Sequence, residues 1–288
     1  MTTPVGLSAP SAVARPRRAL SRARRHPALL AGIVLTSAIV LAALIGPLAS
    51  PYGPNDGDLY HVFAGPSWSH LLGTDDLGRD ELTRLLYAAR NDLRIGFIAI
   101  LFPFTFGTAI GTLAGYHGGR LDAVVTHVID VVIAFPFYVL VIALVFVVGP
   151  GARGIFIAFA VADWVVYARA VRAATLVVRE ADYVAAARAG GVGDTALLVR
   201  HVLPNTISQA FVYAANDVVL VIVAVVTLGY LGLGLQDPTP DWGSMIDAGQ
   251  QVVTTHWQYA TIPGLAAALT GLGLSLLGDG LADLWRPE

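Results

Sequence analysis

Between Ala28 and Leu48 the chain carries no charged residue. About 20 such residues, rising 1.5 Å each as a helix, cross ~30 Å of hydrocarbon. Five further apolar runs follow, at about 94–116, 122–148, 154–178, 207–235 and 259–280. Only 13% of the 288 residues are charged and 56% are hydrophobic, against nearly a quarter charged in soluble domains. The pattern predicts an all-α membrane protein of six transmembrane helices. Proline within a span (Pro103, Pro136, Pro263) is tolerated where neighbouring helices re-satisfy the freed backbone. A cleaved signal peptide competes for the first run, because basic residues precede it and Leu48-Ala49-Ser50 offers small residues. Its length argues against that, since signal cores run to about 7–15 residues.

Residues 1–26 hold six arginines among Pro, Ser and Ala, a composition that predicts a flexible cytoplasmic tail. The first span is placed at 27–49, a polar, turn-rich outer loop at 50–92, and a five-helix core at 93–285. Within the loop, 80–92 reads as an amphipathic surface helix with Leu82, Leu85, Leu86 and Ala89 on one stripe. Excess arginine marks cytoplasmic segments. The tail, together with Arg120, Arg179, Arg188 and Arg200, therefore puts both termini and 179–206 inside.

The segment 181–205, ADYVAAARAGGVGDTALLVRHVLPN, is a polar interruption on that inner side. Ala185, Ala186 and Ala189 at helical spacing predict a short helix with a nearly bare face. Gly190-Gly191 supplies the positive φ needed to turn the chain. Thr195–Leu203 resumes a helical pattern before Pro204. Small side chains let a second surface approach the backbone, with Tyr183 and Arg188 as anchors. The pattern alone fits equally a linker packed under the bundle.

The segment resembles the EAA loop of ABC importer permeases. Ala186-Ala187, Gly191 and Leu203-Pro204 fall at that loop's spacing. Where the general motif has glutamate and isoleucine, this chain has Ala185 and His201. Those departures match the peptide-permease branch, as do Tyr183-Val184, Arg188 and Arg200-His201-Val202-Leu203-Pro204-Asn205, while Asp182 stands where that branch has glutamate, with the same charge on a shorter side chain. Leu72-Gly73-Thr74-Asp75-Asp76-Leu77-Gly78-Arg79-Asp80 is similar to a motif of the C-type subunit of dipeptide/oligopeptide permeases. Tyr230–Gly234, Pro238-Thr239-Pro240-Asp241-Trp242-Gly243 and Leu276–Leu281 resemble the same branch. A glutamate usual in the fifth span aligns with Val225.

The resemblance implies a MetI-like type I ABC importer permease fold and a di- or oligopeptide cargo. Nickel chelates, haem or another small solute are the alternatives. It also implies a sister B-type permease, ATPase subunits that bind ATP and magnesium, and an extracytoplasmic solute-binding protein, in a membrane-lipid setting without nucleic acid. Asp182, Tyr183, Ala186, Ala187, Arg188, Gly191, Arg200 and Pro204 are the implied ATPase-coupling residues. The chain has no lysine, and a P-loop needs one to reach the β/γ-phosphates. Hydrolysis must therefore come from another polypeptide, and no cofactor, metal or catalytic residue is expected in this one.

Gly73, Thr74, Asp75, Gly78, Arg79 and Asp80 read as a capping and turn assembly. Thr74 or Asp75 would be the N-cap, and Arg79 would pair with a carboxylate; contact with a partner or solute is the competing reading. The same choice between contact and simple solvation applies to Asp56, Asp58, Asp75 and Asp76. Ionisable groups inside a membrane mark a path or a pair. Asp130, Asn216 and Asp217 are the candidate path residues, and Asp163 could pair with Arg169. Arg169 and Arg172 are expected to snorkel inward, and Asp279 to lie solvated at the inner interface. Two other classes fit less well. An intramembrane serine hydrolase would need Ser275, in an imperfect G-x-S-x-G, to reach a base such as His127. A standalone carrier would need an internal repeat, and none is evident. His61 and His70 share a loop but belong to no recognised metal pattern.

Overall fold

A computed structural model of the chain describes residues 27–285, with side chains over 27–280. The tail assigned to 1–26 lies outside the described residues. Eleven α-helices follow in order among the described residues: α1 Pro27–Ala49, α2 Glu81–His117, α3 Gly119–Ile133, α4 Phe137–Val148, α5 Ala152–Ala162, α6 Trp164–Val178, α7 Asp182–Ala189, α8 Asp194–Leu197, α9 Leu203–Tyr230, α10 Trp242–Gln251 and α11 Gln258–Trp285. A wider π-helical turn, Leu198–Val202, joins α8 to α9. Among the described residues the only extended pairings are two isolated bridges, Gly57 with Arg79 and Thr74 with Asp80.

Among the described residues five stretches are long and apolar enough to cross a membrane: Pro27–Ala49, Glu81–His117, Ala152–Val178, Asp194–Tyr230 and Gln258–Gly280. The remaining expected span, 122–148, is broken. Its halves, α3 and α4, meet at 87°. Pro136 caps α4 and has no N–H to continue α3, and the residue before a proline is pushed out of helical geometry. The apolar run across 122–148 hides this corner, because hydrophobicity continues through the bend.

The polar segment 80–92 is not a separate surface helix. It forms the first three turns of α2, which runs unbroken for 37 residues. The face it buries is not the leucine stripe but Arg84, Ala88 and Asp92, joined by Ala89. The boundary drawn at 92/93 therefore falls inside one helix.

Glycine sets the central contact. Gly107, Gly111 and Gly115 recur every fourth residue on α2 and face α6. A Cβ on Gly107 would sit 2.4 Å from the Trp164 carbonyl oxygen, one on Gly111 2.4 Å from that of Ala168, and one on Gly115 2.9 Å from that of Arg172. Lipid offers no hydrophobic drive for helices to associate, so close backbone approach through small residues does that work. α6 and α9 pack on α2, and Ile100, Val141, Phe159, Tyr167, Val221 and Val225 are among the core residues they enclose. α1 docks on α11, where Gly32 meets the backbone of Leu276 and Leu277, so this helix is an integral part of the bundle.

Candidate functional site

The polar segment 181–205 forms a rigid elbow at one end of the bundle. Gly191, with φ of +84°, turns the chain between α7 and α8. Its N–H donates to the Arg188 carbonyl at 3.0 Å, and the Val192 N–H to that of Ala187 at 3.2 Å, which closes the end of α7. Val184, Leu197 and Val202 are fully buried against Tyr116, at the last turn of α2.

Tyr116 is the residue that sequence reasoning missed. Its hydroxyl donates to Asp194 Oδ1 at 2.9 Å and receives a long 3.5 Å contact from Arg188. One phenol thus touches both limbs of the elbow. Asp194 lies 78 positions away, and an isolated tyrosine ending a span gives no sequence signal for such a pairing. We expect Tyr116→Phe to lower amide-exchange protection across 182–202 while leaving 203–230 unchanged. The loss should be worth about 1.5 kcal/mol, the low end for a hydrogen bond to a charged group because the pair is only partly buried, and exchange read by mass spectrometry checks it.

Asp182, Tyr183, Ala186, Arg188, Gly191, Arg200 and Pro204 are exposed along the outside of the elbow. Ala187 differs. It is half-buried against the Tyr116 cluster, so its small size serves the elbow's own packing. The bare outer surface is Ala185, Ala186 and Ala189.

At the opposite end, residues 72–80 fold into a closed cap. Asp75 Oδ1 accepts the N–H groups of Leu77 and Arg79, both at 2.9 Å, while Oδ2 accepts Arg79 Nε at 2.6 Å. Arg84 adds a 3.4 Å ion pair to the same oxygen. A Cβ on Gly78 (φ +70°) would fall 1.9 Å from the Asp58 carbonyl oxygen, and one on Gly73 (φ +84°) 2.5 Å from that of Ala64. Both positions therefore admit only glycine. Thr74 Oγ accepts the Ala64 N–H at 2.9 Å and donates to the His61 carbonyl. The N-cap of α2 is Asp80, not Thr74 or Asp75: its Oδ2 accepts the Thr83 N–H at 2.8 Å. Thr74 and Asp75 lie before the turn and point back into the loop. His70 Nδ1 holds the other Asp80 oxygen at 2.9 Å. His61 instead meets Asp58, and that hydrogen bond draws the Asp58 carboxyl below the usual carboxylate range. The two histidines therefore serve different acids, and no cluster of three metal-ligating side chains occurs among the described residues.

Pro240-Asp241-Trp242 anchors α10 to this end of α2. Asn91 Nδ2 donates to the Pro240 carbonyl at 2.8 Å, the Trp242 N–H to Asp92 Oδ2 at 3.0 Å, and the Trp242 indole N–H to the Leu85 carbonyl at 3.3 Å. Asp241 caps α10 through the Ser244 N–H at 2.9 Å. Burial pushes the Asp241 carboxyl up, and the Ser244 N–H pulls it the other way.

The candidate path residues separate. Asp217 is buried within the bundle, where the Tyr167 hydroxyl donates to it at 2.7 Å. Asp130 and Asn216 lie on the surface of the chain, and Asn216 Nδ2 donates to the Val212 carbonyl at 3.2 Å. Asp163, at the junction of α5 and α6, is buried and forms no ion pair with the exposed Arg169 among the described residues. Arg172 is paired with an acid rather than left to water alone. Its guanidinium grips the Asp122 carboxylate in two places, one at 2.7 Å, and ties α6 to α3. Asp279 is exposed. Ser275 lies on α11, which packs on α1, α9 and α10, whereas His127 lies on α3, which packs on α2 and α6.

Known proteins share this plan over nearly the whole chain. The family described as "Binding-protein-dependent transport system inner membrane component" matches residues 107–288. The "N-terminal TM domain of oligopeptide transport permease C" matches 17–66. The chain is 33% identical over 278 residues to the "Dipeptide transport system permease protein DppC" of Alkalihalophilus pseudofirmus, covering 96% of this chain and 91% of that protein. It is 36% identical over 265 residues to the "Di/tripeptide transport system permease protein DppC" of Pseudomonas aeruginosa, covering 90% and 88%. The "Glutathione transport system permease protein GsiD" of Pectobacterium atrosepticum is 36% identical over 265 residues, covering 92% and 88%. With a family match across more than half its length and relatives of this kind, the chain belongs to the membrane-spanning transport permeases of the binding-protein-dependent inner membrane component family.

Proposed function

We propose that this chain is one of two permease subunits of an ATP-driven importer that carries short peptides across the cytoplasmic membrane. The elbow then faces the cytoplasm, as the arginine distribution predicts, and the 72–80 cap faces outward. The observation that carries the reading is the elbow itself: a packed inner face locked to α2, and an outer face of small side chains left bare for another protein. ATP and magnesium belong to that partner, since this chain lacks the lysine of a phosphate loop. A floppy linker would dissipate the partner's motion, whereas packed helices move between discrete positions. A sister permease beside the bundle and a solute-binding protein over the cap complete the assembly. The peptide cargo rests on the resemblance and on the names of the relatives, with nickel chelates, haem and other small solutes as alternatives.

The chain has no cysteine, so one introduced thiol is a unique reporter. Tyr183→Cys, on the bare face, should cross-link to an ATPase subunit in the intact complex, and more strongly in one nucleotide state than in the other. A reactive thiol at 183 that captures no ATPase in either state would reject the coupling assignment.

A further inference from the structure

At the cap end of the bundle a cavity of about 580 Å³ opens between the 75–79 turn, the 229–238 segment and α10. This lies within the ~300–1,000 Å³ typical of small-ligand sites. Glu81, Asp237, Asp247, Phe63 and Tyr259 are among the side chains that line it. Arg79 and Arg84 also border it, but both are committed to Asp75, and Arg84 donates in addition to the Pro54 carbonyl at 3.0 Å.

Glu81 is only 3% exposed, and among the described residues its carboxylate forms no hydrogen bond or ion pair. Tyr259 is 4% exposed, and its hydroxyl has no hydrogen-bond partner among the described residues. A buried carboxylate is tolerated when a proton or a cation neutralises it, and this cavity has room for a cation. Asp237 and Asp247 stand exposed on the rim, also without ion pairs among the described residues. Asp75 and Asp76 together balance the two arginines, which leaves Glu81, Asp237 and Asp247 as the free, negative charge of the cavity. The acids are not grouped tightly enough to hold a metal ion, which favours a larger organic cation over a point charge. Phe63 and Tyr259 add an aromatic wall, with rings 5.7 Å apart and tilted by 53°, and an aromatic face attracts ammonium groups. Phe63 holds a φ of +50°, a conformation that persists where the surroundings impose it.

We propose that this cavity is an entry subsite for the protonated amine of the solute. Glu81 receives the ammonium group, Tyr259 and Phe63 enclose it, and Asp237 and Asp247 draw it in from the rim. The proposal rests on the import reading above, and it names the chemical group that the outer mouth of the permease recognises.

The test is calorimetric titration of the assembled permease–ATPase complex, without its binding protein, using alanyl-alanine amide and the N-acetylated compound. We expect the free amine to bind and the acetylated form to bind at least about tenfold more weakly, the worth of one charge-assisted hydrogen bond. Glu81→Gln should cost about tenfold for the amine with an unchanged melting temperature. Should that variant not assemble, Asp247→Asn on the exposed rim gives the same reading through a loss of about two- to fivefold. Equal affinity for both compounds, or wild-type affinity in both variants, overturns the proposal. A separate uptake assay with a labelled dipeptide keeps the two readings apart. Absent uptake with intact amine binding removes the peptide cargo and leaves the subsite; normal uptake with unchanged variant affinities removes the subsite alone.

Discussion

Gly111→Leu should yield no assembled protein in the membrane. The added side chain begins 2.4 Å from the Ala168 carbonyl oxygen and 3.0 Å from its Cα. These are backbone atoms, which cannot rotate aside as a flexible side chain can. Overpacking a core ordinarily costs about 1–3 kcal/mol. Here α6 must shift as a body, and its Arg172–Asp122 link to α3 would be strained with it. Lipid offers α2 an equally apolar alternative to α6, so separation carries little hydrophobic penalty. Size-exclusion chromatography of the detergent-solubilised complex reads the outcome directly. A Gly111→Leu complex that elutes and melts as the parent does would show that the α2–α6 contact is dispensable. Gly111→Ala is a graded control, since its single methyl meets the same oxygen.

Gly191→Val should assemble normally and transport nothing. A Cβ at this position meets no atom within 4 Å, so sterics with neighbours are not the obstacle; the φ of +84° is. An L-residue in that region costs about 1–2 kcal/mol, and a β-branched one is a genuine outlier. The turn between α7 and α8 would re-form elsewhere, and the two limbs would lose their fixed angle. Moving a two-state transporter between 1:99 and 99:1 takes ~5.5 kcal/mol of differential interaction, which a hinge of the wrong shape cannot deliver. Uptake by proteoliposomes should fall to background while the ATPase subunits still co-purify. Normal uptake at normal expression would refute the elbow's mechanical role. Ala186→Trp blocks the exposed face without touching the turn, and should give the same transport phenotype with weaker ATPase retention. Ala187 is the poorer choice, because a bulky side chain there would press on the Tyr116 cluster and confuse coupling with folding.

The elbow and the spans could be read in the sequence because their signals are local. Alanine at helical spacing, a double glycine and uncharged runs each act within a few residues. What escaped were pairings between distant positions: Tyr116 with Asp194, Arg172 with Asp122 and Tyr167 with Asp217 lie 78, 50 and 50 residues apart. Charge alone suggested that Arg172 would reach for water, because its acid was out of view on another helix. The break at Pro136 escaped for a different reason. A membrane helix can absorb proline, so its presence in an apolar run did not decide between a kink and a corner. The cap was half legible. Its residue types announced a turn, but which acid would start α2 depended on the path of the loop. The Gly107-Gly111-Gly115 repeat was visible in principle, since spacing by four places all three on one helix face.

The 37 residues of α2 make a rod about 55 Å long at 1.5 Å per residue, well beyond the ~30 Å of hydrocarbon. One tip is fastened by Asp80 to the folded loop, the other by Tyr116 to the polar bend. Neither extremity can tilt alone without bending the shaft at Pro103 or tearing one fastening. In the importer proposed above, a motor gripping the elbow would be felt at the 72–80 cap through a single piece of chain, and a spectroscopic probe beside Asp80 would report what the nucleotide does at the other end of the bundle.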